Sequence, residues 1–210
     1  MSGEEGEHRL LPLVKEFLLS EMSYDQSCML EEVPSPWGRP DLVAFEGSRD
    51  DIGLGLPDPA AIRLLCFLQR ESPIRMRDLQ ARLGMGRTSL AKLVHALVNP
   101  GLVRAGEDGL LLGAGLPPPL PGLCAVEIKV RDWRSGLRQA TRYESFSDSA
   151  YLFLGSVSPK IDLPRFKRTG VGLVSLAEPS EEILPARPSS EHNISVGRML
   201  VENRIRGLLS

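Results

Sequence analysis

The alternation of hydrophobic and polar positions changes period several times along the chain. Leu10, Leu11, Val14, Phe17 and Leu18 recur at helical spacing and predict an amphipathic helix over 8–22, with Pro12 tolerated in its first turn. Residues 27–33 and 40–45 read as two short strands around the turn Pro34–Gly38. A polar, glycine-rich linker follows over 47–57. The period then turns helical: segments 60–69, 75–83 and 89–98 carry Ile62, Leu65, Leu79, Leu90, Leu93, Val94 and Leu97 inward, and Thr88 or Ser89 caps the third. Strands at 102–104 and 110–112 flank the turn Gly106–Gly109. The run Leu116–Pro121 is a stiff polyproline spacer.

Beyond the spacer, Cys124, Val126, Ile128 and Val130 alternate with polar positions and predict a strand with one face in a core. Glu127 and Lys129, two residues apart, share its other face. A helix over 132–147 follows, capped by Asp132, then a strand at 150–154, a short helix or turn at 163–168 and a strand at 170–176. Residues 178–190 read as irregular and proline-rich, and 196–208 as a closing helix.

A carboxylate and an ammonium side by side on a core strand suit a hard divalent cation and a negative substrate; the alternative is a solvated strand face. Asp41, at the mouth of the strand over 40–45, reads as a second acid of that kind or as a strand-end cap. The net charge of −2 excludes a polycation, so a polyanion would need a local basic patch. One exists: between Arg70 and Arg104, seven basic residues stand against Glu71 and Asp78, a net +5. Cys28, Cys66 and Cys124 are far apart in apolar settings, as are reduced core residues and not zinc ligands or disulfides. The three histidines are scattered, which argues against a histidine metal site. No secretory or membrane-spanning run is visible, and the expectation is a cytoplasmic protein that does not enter membranes.

Helix, helix, glycine-containing turn, helix and two-stranded ribbon over about 57–115 resemble a winged helix-turn-helix domain. The resemblance implies that the third helix enters a DNA groove through Arg87, Thr88, Ser89, Lys92 and His95, with Arg75 and Arg77 adding phosphate contacts. Glu107 and Asp108 at the ribbon tip suit phosphate poorly, and leave open a winged helix that binds a protein partner or a second copy of the chain.

With that insertion set aside, the order is helix, strand, strand, strand, helix, strand, strand. Pro40-Asp41 opens the second strand, Glu127-Ile128-Lys129 lies in the third, and Gln139 and Tyr143 stand four apart on the next helix. These residues, over about 1–56 and 116–176, resemble the PD-(D/E)XK nuclease superfamily and its RecB-like branch. Asp41 and Glu127 are 86 residues apart, a wide gap for that family, which the insertion fills. The resemblance implies an α/β fold, a restriction-endonuclease-like mixed sheet flanked by helices. Its domain would be discontinuous, 1–56 and 116–210, around an inserted winged helix at 57–115. It further implies that Asp41, Glu127 and the Ile128 carbonyl bind Mg²⁺ or Mn²⁺, with Glu16 on the first helix as a further ligand. Lys129 would orient water and stabilise charge, while Gln139 and Tyr143 brace the site. Arg131, Arg134, Arg138 and Arg142 would follow phosphates, or form a solvated helix face. The function expected is metal-dependent hydrolysis of DNA. Its rivals are a DNA-binding regulator or assembly subunit that does not cut, and a protein-interaction module.

Overall fold

The computed structural model describes residues 3–48, 59–113, 118–188 and 195–209. They fall into two compact units, one from the described parts of 1–52 and 120–193, the other from those of 53–119 and 194–208. Most of the expected linker over 47–57, and the first two positions of the proline spacer, lie outside the described residues. In chain order the elements are helices α1 (Gly3–His8) and α2 (Leu11–Ser20), strands β1 (Met29–Glu31) and β2 (Leu42–Ala44), helices α3 (Pro59–Glu71), α4 (Met76–Leu83) and α5 (Arg87–Val98), and strands β3 (Val103–Gly106) and β4 (Gly109–Leu112). Then follow β5 (Cys124–Lys129), α6 (Trp133–Tyr143), β6 (Ser149–Leu154), α7 (Leu163–Thr169), β7 (Gly172–Ser175), β8 (Glu181–Leu184) and α8 (Val196–Leu209).

The first unit is mixed α/β. Its six-stranded sheet has the order β1-β2-β5-β6-β7-β8, with β5, β6 and β7 parallel and the outer pairs antiparallel. Parallel strands need cover on both faces. On one face Leu11, Val14, Phe17 and Leu18 of α2 pack on Val126, Ile128 and Phe153, each such side chain contributing roughly 1.5–3 kcal/mol by burial. On the other, α6 buries Leu137, Ala140 and Tyr143. Two expectations are corrected here. The helix expected over 8–22 is the shorter α2, with the separate α1 ahead of it, because Pro12 fits the first turn of α2, whereas in a helix continuous with α1 its ring would strike the His8 carbonyl. The stretch 178–190 contains β8, whose Glu-Glu-Ile-Leu does not alternate and which is held by pairing with β7. Its charged outer position suits a sheet edge. The thiols Cys28, Cys66 and Cys124 are all buried and free.

The second unit packs α3, α4 and α5 against the two-stranded ribbon β3–β4 around Leu65, Leu79, Leu90, Leu93, Leu97 and Leu110. Val94 is half-buried against that core, and Ile62 is also buried. Ile74, between α3 and α4, exchanges both backbone hydrogen bonds with Leu110 and ties the helices to the ribbon. α5 begins at Arg87 with Gly86 as its cap, so Thr88 and Ser89 lie in the first turn and do not cap it. The C-terminal helix α8, expected with the first domain, groups with this unit instead. Its Glu202 binds Arg198 at 2.7 Å, and Arg206 donates to the Pro118 carbonyl at 2.7 Å. No helix among the described residues is long and apolar enough to cross a membrane.

Candidate active site

Strands β2 and β5 run antiparallel with Leu42 opposite Val126, which brings Asp41, just ahead of β2, beside Glu127 and Ile128. Asp41 Oδ2 accepts a hydrogen bond from the Ile128 amide at 2.6 Å. Glu127 is 1% exposed, so its strand face is covered, not solvated. The cover is α6, whose Tyr143 hydroxyl donates to Glu127 Oε2 at 2.7 Å and lies 3.2 Å from the Arg39 carbonyl. Lys129 Nζ is 2.9 Å from Glu127 Oε1 and 3.1 Å from Glu7 Oε2. An acid pair, a lysine and a tyrosine thus meet at one end of β5.

Glu7 was not anticipated. Its helix α1, Gly-Glu-Glu-Gly-Glu-His, carries no apolar residue and so no apolar period, and the sequence offers little sign of it. Gly6 is what lets α1 approach: a Cβ there would come within 2.8 Å of Val130 Cγ2. Glu16, the helix glutamate expected at the site, is exposed on α2 and is not among the residues that line its pocket. The periodicity of α2 gives its inner side to Val14, Phe17 and Leu18. The pocket holds about 420 Å³ and is lined by Glu7, His8, Glu31, Glu32, Asp41 and Ile128, with Leu11 as its apolar wall. Lys15 and Arg39 pair with Glu31 and Glu32 respectively.

Burial is the main force on these charges. It pushes the Glu127 carboxyl up to about 7, reinforced by the negative charge of Asp41 and opposed by the Tyr143 and Lys129 hydrogen bonds. Asp41 is raised by burial as well, against the pull of the Ile128 amide and Lys129. Burial alone would lower Lys129, but its bonds to Glu127 and Glu7 outweigh it and hold the ammonium charged. Tyr143 is raised by burial and by Glu127, so it stays a donor.

The other expected residues divide in two. Gln139 does not reach the cluster: its Oε1 accepts from Ser135 Oγ at 3.4 Å, and it lines a separate groove with Arg138 and Arg142. In the second unit Arg87, Thr88, Ser89, Lys92 and His95 are all exposed on α5, and Arg75 and Arg77 are exposed at the start of α4. The ribbon tip, Glu107 and Asp108, is exposed too.

Among the described residues no three Cys, His, Asp or Glu side chains converge as a ready-made metal cage. Asp41 and Glu127 nevertheless fit Mg²⁺, which is commonly held by one or two carboxylates with water and substrate phosphate completing its shell. Burial raises both acids, and the charge of Asp41 raises Glu127 further, a donor set that a cation relieves. Searches of protein-family models, curated proteins and solved structures find no match to the chain.

Proposed function

We propose that the first unit is a metal-dependent nuclease of the PD-(D/E)XK kind acting on DNA, and that the second is a winged helix that docks the substrate. The observation that carries this reading is the meeting of Asp41, Glu127 and Lys129 at one end of β5, from strands that 86 residues of chain separate. Asp41, Glu127 and the Ile128 carbonyl would hold Mg²⁺ or Mn²⁺. When bound, the ion supplies an activated water and polarises the scissile phosphate. The Ile128 amide fixes the Asp41 carboxylate, and Tyr143 fixes that of Glu127, so neither acid reorganises when substrate arrives. Lys129, kept charged by two carboxylates, orients the attacking water and stabilises charge on the phosphorus centre. Glu7 holds the same ammonium from α1. In the second unit, exposed Arg87 and Lys92 on α5 contact phosphates. The three buried free thiols suit a reducing, cytoplasmic setting.

A second reading keeps the DNA and drops the chemistry: a binding protein on a nuclease-like scaffold. Incubating the full chain with labelled linear, branched and single-stranded DNA decides between them. Cleavage is expected with Mg²⁺ or Mn²⁺ and none with EDTA. Glu127→Gln and Lys129→Ala should each lower the rate on the order of 10²–10³-fold while DNA binding persists. Binding by the wild type without metal-dependent cleavage of any substrate would replace the nuclease with the scaffold.

A further inference from the structure

The molecule has a second groove, between α6 and α7, of about 650 Å³. Arg138, Gln139 and Arg142 line it from α6, and Arg165 from α7. On the same unit, Lys15 pairs with Glu31 and Arg39 with Glu32. Among the described residues none of these three guanidiniums pairs with a carboxylate, and no acidic side chain lines the groove. Three arginines facing one concavity repel each other and attract an anion with several charges along its length. Gln139 engages Ser135 through its oxygen, which leaves the amide nitrogen as a further donor.

One end of the groove lies near the tyrosine of the acid cluster. Gly38 has a φ of +133°, in the region that favours glycine, and bears no side chain. A Cβ placed there would lie 3.9 Å from Arg142 Nη2 and 3.9 Å from the Tyr143 hydroxyl, the group that donates to Glu127. Arg142 therefore both lines the groove and neighbours the backbone that packs on Tyr143. The lining contains no aromatic ring on which a base could stack.

We propose that this groove carries the sugar–phosphate backbone of a DNA strand away from the cleaved bond, through Arg142, Arg138 and Arg165 in turn, without reading its bases. The placement of the cleaved bond rests on the nuclease reading; the binding does not. Phosphate contacts of this kind position a strand and carry no sequence information. Arg165, on a helix outside the residues that suggested a nuclease, becomes a positioning residue.

The test measures binding of a fluorescent single-stranded DNA oligonucleotide to the full chain in EDTA, across a salt titration. Arg138→Ala and Arg165→Ala should each lower the slope of log K against log salt by about 0.7. The loss should be the same for oligothymidine and for mixed sequence. Arg165→Lys, which keeps the charge, should restore the slope, which a merely structural arginine would not require. Both arginines are exposed, and an unchanged melting temperature identifies the variants as folded. Unchanged affinity and slope in both alanine variants would overturn the proposal, even if the wild type cleaves DNA. A slope change that depends on sequence would overturn it too. Loss of binding in the variants of a protein that never cleaves would leave the groove standing and remove the nuclease.

Discussion

The cluster around β5 and the outer face of α5 both carry cations, yet they are built in opposite ways. Lys129 is largely buried, bonded to two carboxylates, and part of a group whose charges depend on one another. Arg87 and Lys92 are exposed, on a helix whose buried residues are leucines. An exposed cation costs little to keep and contributes affinity that salt screens. A buried one needs partners in place before it works, and is then much stronger because water is absent. On the proposed function, that difference is the one expected between a surface that holds a substrate and a cluster that acts on one.

Tyr143→Phe should break the first half of that comparison with the largest effect. It leaves the buried Glu127 with one donor fewer, at a cost of roughly 1–3 kcal/mol in a denaturant titration. It also removes a bond that lowers the Glu127 pKa, so the acidic limb of any cleavage profile should move to higher pH. A stability equal to wild type would mean that Glu127 does not depend on its tyrosine.

Next comes the pH dependence of stability without metal. The Glu127 carboxyl goes from an ordinary 4.5 up to about 7, so between those values the folded chain binds a proton that the unfolded chain has lost. Its contribution is full below about 4.5 and is lost as pH rises through about 7. Thermal melts across that range should show this decline, and Glu127→Gln should flatten it. A wild-type slope retained in that variant would assign the decline to another group.

The smallest effect on stability sharpens the second half. Arg87→Ala and Lys92→Ala should shift stability by less than about 0.5 kcal/mol. Each should nevertheless lower the salt slope of duplex DNA binding by roughly one unit. If both leave affinity and slope unchanged, α5 faces a protein partner.

The strand over Cys124–Lys129 was legible because its apolar residues alternate and its neighbours supply the rest of a core. The helices of the second unit were legible for the same reason at a different period. Asp41 was found through a two-residue motif, since nothing local to it predicts a partner so far along the chain. Glu7 and β8 were missed because each is placed by contacts made elsewhere: Gly6 against Val130, and the pairing of β8 with β7. Arg165 was not singled out because a cation on a short helix has no meaning until a second helix faces it. Periodicity reports the face an element buries; it does not report which distant residue it will meet.

The hydrogen bond from Arg206 to the Pro118 carbonyl joins positions 88 apart in sequence. Helix α8 thus reaches the second unit only after the whole stretch from β5 to β8 has been made. On a ribosome, α3 to β4 would emerge without one of their helices and wait while the sheet of the first unit is synthesised. The buried Glu202, held between two arginines, therefore joins this unit from a stretch of chain made after the whole sheet.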